Sequence, residues 1–532
     1  MAKIQTCGEA LVRLLHRRGV DTVFGIPGVH TLELYRGLAG NAIRHVLVRH
    51  EQGAGFMADG YARISGRPGV CFVITGPGLT NIATAMGQAY SESVPMLVIS
   101  TVRATADLNN QQGRLHEISD QLAVSAPLCA FAATALTPEQ VPDLIDKAFA
   151  VFESARPRPV HIEIPLDVMA AAVDGDWQPA AAVPRPLPDP KDLTAAARLL
   201  GEARNPVIIA GGGACDGAAD VVRLAELLGA PVVTTIAAKG LMAKDHPLSL
   251  SSTLPRIETQ EFLAEADVVL AIGTELAETD TWVDQLSLPG AVVRIDIDPR
   301  QINTPYPAAV GIIGDAAAAV AELVILLTGN IPSDTAATEK RLGDIRRAHK
   351  ESESPLRKTH RRVLEIMAAN LPETAAIFTD MTQIAYSGNE IFQAPRINSW
   401  FHPSGFGTLG YAMPAAIGAK LASPSTPIVA VVGDAGFQFT VQELSVAVEL
   451  GLHVIIILWN NDALGQIRDD MVAQGIEKVG VEQRNPDFGL LAEAYGVSYQ
   501  QPGDADSLAA ALSRAVAEPG PWMIEVRQAD FS

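Results

Sequence analysis

Residues 428–440 read IVAVVGDAGFQFT and residues 454–468 read VIIILWNNDALGQIR. Each is a near-continuous apolar run, rich in Ile and Val, that stops at polar residues: Gly433-Asp434-Ala435 in the first and Asn460-Asn461 in the second. Such runs without polar alternation read as strands buried on both faces, the pattern of a parallel sheet covered by helices. Parallel neighbours need a crossover, and the helical stretch around 441–451 supplies one that sets the two strand ends side by side. Asp434 then offers a carboxylate, Asn461 an amide oxygen, and the carbonyl of Ala463 a third oxygen. A hard divalent cation such as Mg²⁺ takes this kind of donor set and commonly shares it with a diphosphate. Gly433 allows close backbone approach, and the helix start that follows, at Ala435, points N–H groups at an anion.

The same texture extends through the chain. VCFVITG (70–76), MLVIS (96–100), VIIAGGG (207–213), VVLAIG (268–273) and VVRIDID (292–298) alternate with Ala- and Leu-rich helical stretches. That predicts an α/β fold with helix-covered parallel sheets, whose ligands bind beyond the carboxyl ends of the strands. Two stretches interrupt it: PAAAVPRPLPDPK at 179–191, an extended linker, and a region at about 329–356 that is polar and Pro-punctuated around a charged helical stretch. The domains expected are therefore 1–178, 192–330 and 355–532, each of ordinary size.

Composition narrows the function classes. The 532 residues hold 40 Lys plus Arg against 60 Asp plus Glu, a net charge of −20, which disfavours nucleic acid and anionic membranes as partners. No apolar run is long enough to span a bilayer, and the amino-terminal stretch reads as an amphipathic helix, not a signal peptide. Cys7, Cys71, Cys129 and Cys215 show no paired or metal-binding spacing, so a cytoplasmic location is expected.

The first segment carries Gly25-Ile26-Pro27-Gly28, then His50-Glu51 opening EQGAGFMADGYAR, then TGPGLTN at 75–81. Together with Gly433-Asp434 and Asn460-Asn461, these motifs resemble those of thiamine diphosphate (ThDP) enzymes, in the branch of acetolactate synthase, pyruvate decarboxylase and benzaldehyde lyase. The resemblance runs over nearly the whole chain and implies three domains in the order pyrimidine, central, diphosphate. It implies ThDP and Mg²⁺ as cofactors, with Asp434, Asn461 and Ala463 on the metal and Pro27, Gly433 and Ala435 at the cofactor. Glu51 would hydrogen-bond the aminopyrimidine and hold a proton near neutral pH. Gly407 would accept from the exocyclic amine, Leu409 would wedge between the cofactor rings, and Gln383 would lie near the diphosphate, although Ile384 stands where the family often has His. Because the family builds its sites between subunits, a homodimer or homotetramer is implied.

The enzyme's reaction is implied to be decarboxylation of a 2-oxo acid. His30, two residues after GIPG, and His116 in GRLHEISDQ are the proton-handling candidates. Ile467 stands where pyruvate decarboxylases carry Glu, which disfavours simple pyruvate decarboxylation. GTELAETD (273–280) replaces the Arg-containing stretch with which acetolactate synthases bind FAD, so FAD is disfavoured. Overall the chain is most similar to the 5-guanidino-2-oxopentanoate (2-ketoarginine) decarboxylase group. A guanidinium substrate calls for a carboxylate, with Glu117, Asp462, Asp469 and Asp470 as candidates. The alternatives are acetolactate-type carboligation, decarboxylation of another bulky 2-oxo acid, and a non-catalytic cofactor-binding subunit.

Overall fold

In the computed structural model, which describes residues 5–108, 110–243, 245–329 and 335–531, three six-stranded sheets follow one another along the chain. Every strand pair within them is parallel. The predicted apolar runs supply their central strands, among them Gly69–Val73, Met96–Val102, Val268–Ile272, Ile428–Gly433 and Val454–Asn460. All residues of those five strands are buried, as sheets covered on both faces require.

The strand order explains where sites can form. Ranked by position in sequence, the first and third sheets share the order 2-1-3-4-6-5, whereas the central sheet runs 3-2-1-4-5-6. Connections from the first strand leave on opposite sides of the sheet, so a crevice opens beyond the strand ends where the order reverses. In the first sheet that point lies between Thr22–Gly25 and Gly69–Val73, and in the third between Ala376–Thr379 and Ile428–Gly433. GIPG, TGPG, Gln383 and Gly433-Asp434 all follow these strands directly.

Helix Glu51–Ser65 of the first domain lies against helix Ala412–Ala422 of the third, and both are almost wholly buried. Their backbones nearly touch. A Cβ on Gly60 would stand 1.9 Å from the Ala415 carbonyl oxygen, and one on Gly418 would stand 1.8 Å from that of Met57. A single apolar cluster runs through this crossing from Phe24 to Met523, uniting the first and third sheets. The central domain has its own core and is fastened by polar contacts: Arg156 to Asp296 at 2.8 and 2.9 Å, Arg158 to Glu275 at 2.7 Å, and Lys239 Nζ to the Asn389 carbonyl at 2.7 Å.

The structure differs from the sequence reading in one local respect. The crossover around 441–451 is a 3₁₀ turn, Val441–Glu443, running into the helix Leu444–Glu449, and it is preceded by a short helix, Asp434–Gln438. The charged helical stretch expected in the polar region near 329–356 is the helix Ala336–Glu351, whose Leu342 is buried in the central core with Ile345 packed against it. The stretch Gln178–Asp189 has no regular structure and is mostly exposed.

Candidate active site

The ends of the strands Ile428–Gly433 and Val454–Asn460, paired through Gly433 and Trp459, deliver Asp434 and Asn461 to one place. One end of the Asn461 amide lies 3.3 Å from Asp434 Oδ1 and 2.8 Å from the carbonyl oxygen of Ala463. With its oxygen turned inward, the amide completes a set of three oxygen donors that a cation would reconcile. All are hard oxygen donors, one of them charged, which fits Mg²⁺ better than a soft metal. Burial raises the Asp434 carboxyl above its ordinary range, opposed by the hydrogen bond from Asn485. Asn485 Nδ2 lies 2.7 Å from Asp434 Oδ2, 3.0 Å from Asp462 Oδ1 and 3.1 Å from Asn460 Oδ1, so it buttresses the side of Asp434 turned away from Asn461.

Gln383 opens the helix Gln383–Ile391 and joins this cluster: its Oε1 accepts from Asn461 Nδ2 at 3.1 Å and its Nε2 donates to Asp469 Oδ2 at 2.8 Å. Gly433 ends its strand and Ala435 is buried in the first turn of the helix that follows. Nearby, Gly407 and Gly410 both have positive φ, +68° and +79°, and together turn the chain so that Leu409 is presented half-buried between them. The turn is held by buried Asp380, whose carboxylate accepts from Gly410 N at 2.9 and 3.0 Å, and by Thr408, whose hydroxyl donates to Gln88 of the first domain at 2.8 Å. Burial pushes Asp380 up to about 7.

The first domain holds the second cluster. His50 caps the helix Glu51–Ser65, accepting from Gln52 N at 3.1 Å, which leaves Glu51 in the first turn at 7% exposure. Glu51 Oε2 accepts from Asn81 Nδ2 at 2.9 Å. Pro27 is exposed in the loop after strand Thr22–Gly25, where Thr31 N and Oγ1 bond the Gly28 carbonyl at 2.9 and 3.1 Å. His30 and His116, 86 residues apart in sequence, meet edge to face with ring centroids 5.2 Å apart. Burial, then the neighbouring His116 and Arg103, lower the His30 imidazole below its ordinary value, and its Nδ1 is buried without a partner. His116 itself sits at φ +63°, a left-handed conformation costly for a side chain of this size.

His30 and His116 thus meet in the first domain, which also carries Glu51, while Asp434, Asn461, Ala463 and Gln383 come together in the third with Gly433 and Ala435 beside them. Among the described residues no hydrogen bond joins the two groups. Glu443 of the third domain is buried against the start of the first-domain helix: it accepts from Arg49 N at 3.2 Å on each oxygen, and burial pushes it up to about 7. Asn485, Asp380 and Glu443 were not singled out from sequence.

At the switch point of the central sheet, Gly211-Gly212-Gly213 and residues 273–280 border a cavity of about 710 Å³ shared with the other two domains. Its guanidinium groups are committed: Arg156 to Asp296, Arg158 to Glu275, and Arg185 to Asp216 at 2.8 Å and Asp315 at 2.9 Å. Asp280 is pushed up to about 7 by burial and by Glu92 and Glu275.

Three family models match in sequence order: the N-terminal TPP binding domain of thiamine pyrophosphate enzymes over residues 5–124, the central domain over 193–323, and the C-terminal TPP binding domain over 380–526. The chain belongs to the thiamine pyrophosphate enzyme family. It is 54% identical over 531 residues to the probable 2-ketoarginine decarboxylase of Pseudomonas aeruginosa, covering 99% of this chain and 95% of that protein. Identity to the probable acetolactate synthase large subunit of Methanocaldococcus jannaschii is 31%, covering 97% of this chain and 91% of that one. The acetolactate synthase isozyme 1 large subunit of Escherichia coli is also 31% identical, with 98% and 94% covered. No described helix is long and apolar enough to cross a membrane.

Proposed function

We propose that this protein is a ThDP- and Mg²⁺-dependent decarboxylase that converts 5-guanidino-2-oxopentanoate and a proton to 4-guanidinobutanal and CO₂. The observation that carries the reading is the 54% identity, end to end, to a 2-ketoarginine decarboxylase, against 31% to acetolactate synthases. The carboxylates beside the metal loop support it. Of the four candidates, Glu117 is occupied by the backbone N–H groups of Gln112 and Arg114. Asp462 is shared between Asn485 and Arg527, and Asp469 between Gln383 and Arg468. Among the described residues the Asp470 carboxylate accepts only from Gln466 Nε2, at 3.0 Å on Oδ1, which leaves Oδ2 for a guanidinium.

Bound between the two clusters, ThDP supplies the nucleophilic carbon and the electron sink for loss of CO₂. Asp434, Asn461 and the Ala463 carbonyl would hold Mg²⁺, with Gly433 and Ala435 against the diphosphate. Pro27 would lie beside the cofactor, the Gly407 carbonyl would accept from its exocyclic amine, and Leu409 would pack against its rings. Glu51, oriented by Asn81 on Oε2, has Oε1 left to hold a proton for the pyrimidine. His30 and His116 carry protons at the substrate, the free Nδ1 of His30 being the open position. As the family resemblance implies, each site is built from two chains of a homodimer or homotetramer. Exposed Val29 and Leu115 near the histidines, and Phe439 and Ile467 near the metal loop, suit burial in that interface. The central cavity holds no flavin, because its arginines are matched by carboxylates and a diphosphate would meet negative charge. The four cysteines are all free thiols, in keeping with the cytoplasm.

The test is CO₂ release from a panel of 2-oxo acids: 5-guanidino-2-oxopentanoate, pyruvate and benzoylformate. Turnover of the guanidino acid to the aldehyde, dependent on ThDP and Mg²⁺, is expected. Acetolactate from pyruvate as the main product would assign carboligation instead, and no CO₂ from any acid would leave a cofactor-binding subunit.

A further inference from the structure

Asn461 can point either end of its amide at Asp434 and Ala463. With nitrogen inward it would donate to Asp434 Oδ1 at 3.3 Å and to the Ala463 carbonyl at 2.8 Å, closing the site with hydrogen bonds and leaving no place for a cation. With oxygen inward it is a metal ligand. Nothing at Asp434 or Ala463 selects the second state, since both present oxygens. The selection comes from the other end of the amide, where Asn461 faces Gln383 Oε1 at 3.1 Å. Gln383 could itself turn over, so it too needs a reference.

That reference is Asp469. Its carboxylate has no hydrogen to donate when ionised, and it meets Gln383 at 2.8 Å through Oδ2 while Oδ1 accepts from Arg468 Nε at 3.0 Å. Gln383 must therefore present nitrogen to Asp469 and oxygen to Asn461. Asn461 must then turn its nitrogen to Gln383 and its oxygen to the metal. The helix Gly465–Ala473 that carries Asp469 begins hard against both amides: a Cβ on Gly465 would stand 2.3 Å from Asn461 Nδ2 and 2.4 Å from Gln383 Oε1. Neither amide can swing aside.

We propose that Asp469 is a positioning residue that fixes the polarity of the cation site through Gln383, so that Asn461 offers oxygen and not nitrogen to Mg²⁺. The inference rests on the metal reading of Asp434, Asn461 and Ala463, but not on the identity of the substrate. Asp469→Asn removes the reference, because an asparagine can donate to Gln383 as readily as accept. The pair Gln383→Glu with Asp469→Asn restores it: the carboxylate moved to position 383 has only acceptors, takes the hydrogen bond of Asn461 Nδ2 and receives one from the new amide.

The measurement is calorimetric titration of Mg²⁺ into the full-length chain with ThDP present, with Asp434→Ala titrated alongside. Asp469→Asn should weaken Mg²⁺ binding about ten- to hundredfold, the usual scale for a partner of a ligand, and the double variant should recover to within about threefold of wild type. A structural defect at position 469 would not be repaired by a second substitution that moves the carboxylate. Wild-type Mg²⁺ affinity in Asp469→Asn, or a double variant no better than the single one, overturns the proposal. Unchanged Mg²⁺ binding in Asp434→Ala would overturn the metal reading itself and this proposal with it.

Discussion

Asp470→Asn is the sharpest probe of substrate choice, because it deletes one charge and almost no volume. Asp470 lies five residues beyond Gly465, where the helix abuts Asn461 and Gln383, and so about 7.5 Å further along the axis at 1.5 Å per residue. In 5-guanidino-2-oxopentanoate the guanidinium carbon is five bonds from the keto carbon, about 6 Å extended, since a zigzag of roughly 1.5 Å bonds advances about 1.25 Å per bond. The two spans are commensurate. Gln466 holds one carboxylate oxygen and orients the other, and no described cation pairs with the group. A charge-assisted pair of this kind, discounted for its exposure to solvent, corresponds to about five- to thirtyfold in binding. The assay is steady-state kinetics with the guanidino acid and with its ureido counterpart, which has the same length and no charge. The ratio of their KM values should move about five- to thirtyfold towards the ureido acid, with kcat for the guanidino acid changed by less than about threefold. If wild type turns over the guanidino acid and the ratio stays within about twofold, Asp470 is only a solvated surface carboxylate and the reasoning fails.

Asn485→Ala removes the donor on the outer oxygen of Asp434, and should raise the Mg²⁺ concentration for half-maximal activity about tenfold while excess Mg²⁺ restores the rate. An unchanged Mg²⁺ dependence would separate Asn485 from the metal. Glu51→Gln should retain ThDP binding by calorimetry yet lose about 10²- to 10⁴-fold in turnover; wild-type turnover would sink the proton role of Glu51. Gly418→Ala drives a methyl group into the Met57 carbonyl, and should cost about 1–3 kcal/mol of stability and lower turnover by shifting the helix that carries Glu51. A wild-type Tm and rate would show that the backbones do not meet there. His161 lies between Ser100 and Ser125 with its imidazole lowered to about 3 by burial. The unfolded chain takes up a proton near 6.5 and the folded chain does not, so stability falls as pH drops through that window at about 1.4 kcal/mol per unit. The stability advantage of wild type over His161→Gln should therefore shrink by about 2 kcal/mol between about pH 7 and about pH 5, measured by denaturant unfolding, and a constant difference would refute the assignment.

Much of this architecture could be read from the residues because buried parallel strands have no polar alternation and end at abrupt polar turns. Asp434 and Asn461 sit at two such ends, and a single crossover fixes their proximity. The pairing of His30 with His116 is different in kind: both were candidates, but nothing local in sequence places their rings together. Asn485 reaches Asp434 from an irregular segment 51 residues away, where no periodic pattern exists to register it. Asp380 was hidden in plain view. An aspartate just after a strand reads as a helix-start residue, and only the return of the chain at Gly410 makes it the anchor of the Leu409 turn. Glu443 occupies a crossover that looks purely structural until the helix Glu51–Ser65 is laid across it. Contacts that join elements distant in sequence, made by single polar side chains, carry no signature along the chain.

The exposed stretch Gln178–Asp189 has a corollary for how the molecule is held together. Its backbone is pinned at Ala180, Val183 and Pro186, and Arg185 bridges to Asp216 and Asp315. Beyond it, the central domain is gripped on both flanks by Arg156, Arg158 and Lys239. Covalent continuity there is therefore dispensable to tenure: a chain nicked within the tether would stay assembled as two fragments, and those fragments could be supplied as separate polypeptides.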